Sequence, residues 1–369
     1  MLTRAVTICR PKTAGALYFH GTYLYQRRSR SLATLAEKTR SDATFTIPVI
    51  DFGKFISSDD ASAKKSTAKD VVDAFKEVGF VYLKNHGIPQ SKIDTAFHQS
   101  AEFFALPLQE KLKLAWEDPR SNRGYVARGR ERVTQSSDAN EIAAMREKAP
   151  DFKESIEIGR DWDSTWKNQW PPQSMLPNFK PTFLDFFQTC HDLHARVMQS
   201  IAMGLNLPSS FFDDKIQEQY HNMRLLDYPP IDTQLLRAEG QARAGAHSDY
   251  GTLTFVFQDS VGGLEVQNPH TKVFHAATPI PGTIVVNVGD LLARWSNDTL
   301  RSTLHRVVAP PAHDAPRTPA RQSIAFFCNP NGGAVISCLP PCLKEGEKPK
   351  YSPVTTEDYI VGRLMATYN

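Results

Sequence analysis

The chain has 369 residues, of which 41% are hydrophobic and 22% charged, and its formal net charge at pH 7 is +3. This composition is typical of a globular protein, and the small, dispersed charge gives no support for nucleic-acid binding. The sequence has no run of about eighteen apolar residues, so we expect no membrane-spanning segment. Its five cysteines form no CxxC pair, so a disulfide framework is not expected.

The amino-terminal leader is basic. Its first 36 residues contain six basic residues and no acidic one. A leader that is rich in arginine and hydroxyl groups and free of acids resembles a mitochondrial transit peptide. Pro11, Gly15 and Gly21 interrupt any amphipathic helix there, which favours the alternative of a disordered tail on a cytoplasmic protein. We expect residues 1–44 to be such a leader and leave both locations open.

The following region, residues 45–219, is predicted to be helical and mixed. The stretch "TFTIPVIDFGKF" predicts a short strand, and "FVYLKNHGIP" predicts a buried one. Apolar residues recur at helical spacing in three places: before Gly79, over about 90–104, and from 180 to about 205. The charged segment 117–173 lacks a period, which predicts long loops with short elements.

The remaining region, residues 220–369, is predicted to contain the β-core. Seven or eight short apolar runs are separated by Gly, Pro and Asn, among them "NMRLLDYPP", "TLTFVFQ", "TIVVNVGDLL" and "RQSIAFFCNP". Such a pattern favours a sandwich, a barrel or a jelly roll. The last stretch predicts a helix capped by Thr355 or Thr356. We therefore expect a mainly β protein with helices packed on its outside.

The stretch His247-Ser248-Asp249 is a candidate for two metal ligands. Alternate side chains of an extended strand point the same way, so residues 247 and 249 can face one ion. Such a pair also arises by chance and requires a third ligand. His305, in the β-branched run "STLHRVVAP", is the natural candidate. Two histidines and a carboxylate on one octahedral face suit Fe(II) and leave three positions open.

The other histidines fit this role less well. His191 and His194 are one helical turn apart, but we expect no third ligand of suitable context nearby. We interpret them as surface or satisfied core residues. The aromatic residues Phe255, Phe326 and Phe327 are likewise interpreted as core.

A carboxylate-binding pair is predicted at the start of a later strand. Arg321 and Ser323 are two apart and therefore share one face. A guanidinium binds a carboxylate through two hydrogen bonds, and a hydroxyl can donate to the same group. Tyr228 could add a third donor. Taken alone, Arg-x-Ser indicates an ordinary exposed strand edge. The functional interpretation depends on the occurrence, in this order, of His-x-Asp, a distant His and Arg-x-Ser.

This ordered set resembles the isopenicillin N synthase-like branch of the 2-oxoglutarate- and Fe(II)-dependent dioxygenases. The resemblance extends from about Ile47 to the terminal helix and includes "IPVIDF", "GFVYLKNHGIP", "NRGY", "DFKESIEIG", "GAHSDYGTLTFVFQD" and "RSTLHRVVAPP". It implies a double-stranded β-helix (jelly roll) core. Two features depart from the family pattern: Leu226 stands where plant members usually carry asparagine, and the loop from Pro310 to Ala320 is long.

The resemblance implies that Fe(II), 2-oxoglutarate and O2 act together at His247, Asp249 and His305. The far carboxylate of 2-oxoglutarate would then meet Arg321, Ser323 and Tyr228. The expected reaction hydroxylates or desaturates a small molecule and releases succinate and CO2, in a protein expected to be a monomer. We consider Tyr125 a candidate substrate contact. A zinc hydrolase with a metal-bound hydroxide and a non-catalytic small-molecule sensor on the same scaffold are the alternatives.

Overall fold

The computed structural model describes residues 45–116, 118, 120–131, 138, 141–142, 144, 151–237, 242–309 and 316–368. The leader predicted over residues 1–44 lies outside these residues. Thr46–Asn369 form one compact unit, and a boundary near residue 220 stays a prediction. Within the described ranges no helix is long and apolar enough to cross a membrane. The four cysteines found there carry free thiols.

The larger sheet is built from strands of both predicted regions. Its strands are β1 (Val49–Asp51), β2 (Phe80–Lys84), β3 (Gly124–Val126), β4 (Glu154–Gly159), β5 (Asn222–Tyr228), β7 (Leu253–Gln258), β10 (Thr283–Val288) and β12 (Arg321–Cys328). Their order is β1-β2-β10-β7-β12-β5-β4-β3. The β1/β2 pair is parallel, and the other pairs are antiparallel.

The smaller sheet faces it across a cavity. Its strands are β6 (Ala244–His247), β8 (Leu264–Gln267), β9 (Phe274–Ala276) and β11 (His305–Val307), in the order β6-β11-β8-β9. A short hairpin joins β13 (Val335–Ile336) to β14 (Val354–Thr355). Because one cavity is lined by residues of β5, β6, β7, β8, β11 and β12, it lies between the two sheets. This is the predicted mainly β jelly roll with flanking helices.

The described residues include nine α-helices, some of which pack on the larger sheet. They are α1 (Gly53–Ser57), α2 (Ala61–Glu77), α3 (Gln90–Phe104), α4 (Leu108–Leu112), α5 (Phe179–Gly204), α6 (Asp213–Ile216), α7 (Thr233–Arg237), α8 (Asp290–Trp295) and α9 (Thr356–Tyr368). Helix α5 contacts α2 and α3. It also packs on the sheet, where Phe186 lies 5.1 Å from Phe257 and Phe187 lies 5.2 Å from Phe326 between ring centroids.

The predicted helices before Gly79, over 90–104 and over 180–205 are confirmed. The terminal helix is also confirmed, and the Thr355 hydroxyl caps it by accepting the backbone N–H of Asp358 at 3.1 Å. The segment 117–173, which was predicted to form long loops with short elements, contains the short strands β3 and β4, and these extend the larger sheet. All six residues of β4 are buried although three of them are polar.

Candidate active site

The smaller sheet brings His247 and His305 together, next to Asp249. The register of β6 and β11 puts His247 directly opposite His305, with ring centroids 4.3 Å apart. Nε2 of each histidine lies 3.7 Å from Asp249 Oδ1. The prediction that one strand carries both residues 247 and 249 is wrong, because β6 ends at His247 and Asp249 follows in a segment without regular structure.

Backbone and amide groups fix the orientation of all three side chains. Nδ1 of His247 is 2.8 Å from the Gly245 carbonyl oxygen, and Nδ1 of His305 is 3.2 Å from that of Thr303. Carbonyl oxygens only accept, so each Nδ1 carries the proton and each Nε2 presents a lone pair. This is the outer hydrogen bonding that metal-ligating histidines usually have.

The charge state of the group also suits a divalent ion. Burial, followed by the neighbouring His305, lowers the pKa of His247 to about 4, so the ring is neutral at pH 7. Burial opposes ionisation of Asp249, but the two histidines and the Asn287 amide outweigh it and lower the pKa of the carboxyl. The Asn287 Nδ2 donates to Asp249 Oδ2 at 2.7 Å, which leaves Oδ1 toward the histidines.

A second histidine cluster has similar spacing but different hydrogen bonds. Ligand-capable atoms of His191, His194 and His221 lie within 4.8 Å of one another, so the expectation that no third group is near is wrong. Nδ1 of His221 accepts the Asn329 backbone N–H at 3.0 Å, so its Nε2 carries the proton, 3.0 Å from His191 Nδ1. Because both ring nitrogens of His221 are used, we interpret this cluster as structural.

The cavity between the sheets continues from the histidines to Arg321. Tyr228 and Arg321 are paired across β5 and β12, with the guanidinium 4.9 Å from the ring centroid. Arg321 is 1% exposed, and its Nη1 donates to Ser323 Oγ at 3.1 Å. Among the described residues no carboxylate is within ion-pair distance of Arg321, and its Nε has no hydrogen-bond partner. A buried unpaired guanidinium is suited to binding a carboxylate from outside the chain.

A second cavity shares His247 and Asp249 with the first. Its wall includes His247 and Asp249, and beyond them Asn122, Glu131, Asn222, Arg224, Ser248, Tyr250, Gly251, Phe327, Asn329, Ile360 and Leu364. Arg224 and Phe327 line both cavities. The core interpretation is therefore wrong for Phe327, while Phe255 and Phe326 are fully buried against the outer helices. The alternation in β12 explains this, since residues 321, 323, 325 and 327 share the inward face.

Tyr125 lies elsewhere. It is 2% exposed, and its hydroxyl donates to Glu154 Oε2 at 2.5 Å. It is not part of the lining of either cavity described above. The predicted substrate contact therefore receives no support from its position.

Residues 47–173 match the family description "non-haem dioxygenase in morphine synthesis N-terminal", and residues 216–330 match "2OG-Fe(II) oxygenase superfamily". The chain is 36% identical to the 2-oxoglutarate-Fe(II) type oxidoreductase ppzD of Metarhizium rileyi, over 87% of this chain and 91% of that protein. It is 37% identical to the 2-oxoglutarate-dependent dioxygenase frbA of Dothideomycetidae sp., over 88% and 98%. The chain belongs to the 2-oxoglutarate- and Fe(II)-dependent oxygenases.

Solved structures agree with this membership. This oxygenase is similar to Neurospora crassa T7H in complex with alpha-KG and thymine, with 45% identity over 87% of this chain and 96% of that chain and a TM-score of 0.80. The cofactor of the present oxygenase is iron, and its co-substrates are 2-oxoglutarate and O2. The dioxygenase reaction class replaces the zinc-hydrolase and sensor alternatives. The donor set of two imidazoles and one carboxylate fits Fe(II).

Sequence reasoning missed several residues that line the site. Asn222 and Arg224 lie on the same strand as Tyr228, at even spacing from it. The period of two in the predicted strand "NMRLLDYPP" was therefore a usable signal for both. Asn287 and Lys153 gave no such signal, because they come near the site only through the pairing of strands distant in sequence.

Proposed function

We propose that this oxygenase oxidises a pyrimidine base of the thymine type at its exocyclic methyl group. The observation that carries the proposal is a pair of unsatisfied acceptors in the second cavity. The side-chain oxygens of Asn122 and Asn222 are buried and have no hydrogen-bond partner among the described residues. A buried amide oxygen without a donor is costly, so a ligand that supplies N–H groups is favoured there.

The polarity of the cavity is complementary to such a base. Asn222 Nδ2 donates to the Asn122 backbone oxygen at 2.8 Å, so its Oδ1 is left as an acceptor. Thymine offers two ring N–H donors and two carbonyl acceptors, and the Arg224 guanidinium can donate to a carbonyl. The Phe327 ring lines the same space and provides an apolar surface against which a planar base can stack.

A similar protein supports the same substrate class. Neurospora crassa T7H has structures in complex with alpha-KG and thymine and with alpha-KG and 5-formyluracil. The second base carries a formyl group where thymine carries a methyl group. A cavity that accepts both suits stepwise oxidation of that carbon.

In this proposal each cavity has one task. His247, Asp249 and His305 hold the iron, and Arg321, Ser323 and Tyr228 hold the far carboxylate of 2-oxoglutarate. The iron, 2-oxoglutarate and O2 together supply the oxidant for a C–H bond, with release of succinate and CO2. The chain orients the methyl group toward the iron through the second cavity and keeps the site largely free of water.

The test is a comparison of small molecules under identical Fe(II) and 2-oxoglutarate. We expect thymine to stimulate succinate formation and to gain one oxygen atom, as measured by mass spectrometry. Uracil, which lacks the methyl group, should give no oxidised product. Replacing Asn222 with Leu should raise the KM for thymine about tenfold or more, because one buried hydrogen bond is lost. The proposal is wrong if the protein turns over 2-oxoglutarate with another compound and gives no oxidised product from thymine.

We also propose an oligomeric state, a preference for a free base and a cellular location. Residues of a single chain line both cavities, which supports an active monomer and can be tested by light scattering during turnover. The net charge is small and the basic residues are dispersed, which favours a free base over nucleic acid as the substrate. The basic leader supports mitochondrial import, with a cytoplasmic location as the alternative. Fusing residues 1–44 to a fluorescent protein distinguishes the two.

A further inference from the structure

A buried ion cluster lies in the wall between the two cavities. Glu131 lines the second cavity. Lys153 lines the cavity between the sheets, where Arg321 is proposed to hold 2-oxoglutarate, and Arg224 lines both. Lys153 Nζ forms an ion pair with Glu131 Oε2 and lies 3.8 Å from Asp151 Oδ2. Arg224 Nη1 donates to Glu131 Oε1 at 3.1 Å, and its Nε is 2.5 Å from Glu157 Oε1. Glu131 is therefore held between two cations.

We propose that Lys153 is a positioning residue for the substrate, acting through Glu131 on the guanidinium of Arg224. This inference rests on the proposed function, in which Arg224 donates to the base. In that arrangement Lys153 controls the affinity for the substrate although it lies in the wall of the other cavity.

The backbone explains why Glu131 needs Lys153. Glu131 does not belong to a helix or strand, and its carbonyl accepts the Asp151 N–H at 3.1 Å. Lys153 directly precedes β4, whose six buried residues pair with β3 and β5. Strand β4 therefore fixes the position of Lys153. The Lys153 ammonium in turn holds the carboxylate of Glu131, which belongs to an irregular segment.

The geometry around Arg224 makes its direction dependent on Glu131. Its guanidinium lies 5.6 Å from the Phe327 ring centroid and between the carboxylates of Glu131 and Glu157. Burial raises the pKa of Glu157, which weakens that carboxylate as an anionic partner. Glu131 contacts both Lys153 and Arg224, so it is the carboxylate through which a change at Lys153 reaches the guanidinium.

The chain offers a matched control for the loss of a buried lysine. Lys111 pairs with Glu154 at 2.8 Å, and both side chains are as buried as Lys153 and Glu131. Lys111 and Glu154 do not line either of the two cavities. Replacing Lys111 with Met therefore reports the general cost of breaking a buried Lys–Glu pair.

The experiment measures KM and kcat for thymine and for 2-oxoglutarate in the full chain. We expect Lys153→Met and Glu131→Gln each to raise the KM for thymine about tenfold or more, as when one member of a charged network is lost. The double variant should be no worse than the poorer single one, because both act through one link. Lys111→Met should leave the KM for thymine within about twofold.

The outcomes separate the two proposals. Equal KM values for thymine in Lys153→Met and Lys111→Met would overturn the inference, as would a normal KM in Glu131→Gln. If Lys153→Met does not fold, the Glu131→Gln result decides. If wild-type protein oxidises another compound in place of thymine, the proposed function is wrong, and the same comparison with that compound tests Lys153 separately.

Discussion

The Asn287 amide provides a quantitative test of how the metal ligands are held. Its Nδ2 donates to Asp249 Oδ2 at 2.7 Å, and its Oδ1 has no hydrogen-bond partner among the described residues. Replacing Asn287 with the nearly isosteric Leu therefore removes one hydrogen bond to a carboxylate and breaks no other bond that the structure records. A hydrogen bond to a charged group contributes about 1.5–3 kcal/mol.

This range corresponds to a loss of metal affinity of about 10- to 150-fold, in line with the effect of other outer hydrogen bonds at metal sites. The assay is an anaerobic titration of the Asn287→Leu protein with Fe(II), together with the Fe(II) concentration that gives half-maximal 2-oxoglutarate turnover. Asn331→Leu is the matched control, because Asn331 is also buried and bonds Glu218 and Asp214, outside both cavities. Wild-type affinity in a folded Asn287→Leu protein would refute the reasoning.

Three further predictions concern the cavities and the second histidine cluster. Arg321→Gln should raise the KM for 2-oxoglutarate at least about 100-fold, since two charge-assisted hydrogen bonds are lost. Ser323→Ala should raise the same KM about tenfold or less. Equal increases of this KM in the two variants, measured by succinate formation, would contradict the prediction. Burial lowers the pKa of His194 from 6.5 to about 3, so the unfolded chain takes up the proton first and stability falls as the pH drops below about 6.5. Lowering the pH from 8 to 5 then costs about 2 kcal/mol at this residue, and urea unfolding of His194→Asn should show a pH dependence smaller by that amount. Leu364→Ala, in the wall of the second cavity, should raise the KM for thymine and leave that for 2-oxoglutarate unchanged; the reverse pattern would be inconsistent with two separate cavities.

The sequence predicted the elements whose pattern is local. The helix before Gly79 and helix α5 have one apolar face each, and that face packs on the protein core. Strand β4 was missed because its inward face carries Glu157 and Ser155, which a local pattern assigns to solvent. In the folded chain Glu157 meets Arg224 instead. Polar residues that face a cavity reverse the usual relation between polarity and exposure.

In the candidate site, too, residues that form a sequence pattern were predicted, and residues placed by the pairing of distant strands were not. His247, Asp249, His305, Arg321 and Ser323 were predicted together from their order, and the fold places them around one cavity. Asn287 and Lys153 could not be predicted, since their positions depend on the register of strands far apart in the chain.

The most direct measurement is an anaerobic crystal structure of the protein with Fe(II), 2-oxoglutarate and thymine. The account predicts the metal on His247, Asp249 and His305 and the far carboxylate of 2-oxoglutarate on Arg321. The base should lie along Phe327, with its N–H groups on Asn122 or Asn222. A metal bound to other residues, or a base bound outside the second cavity, would contradict it.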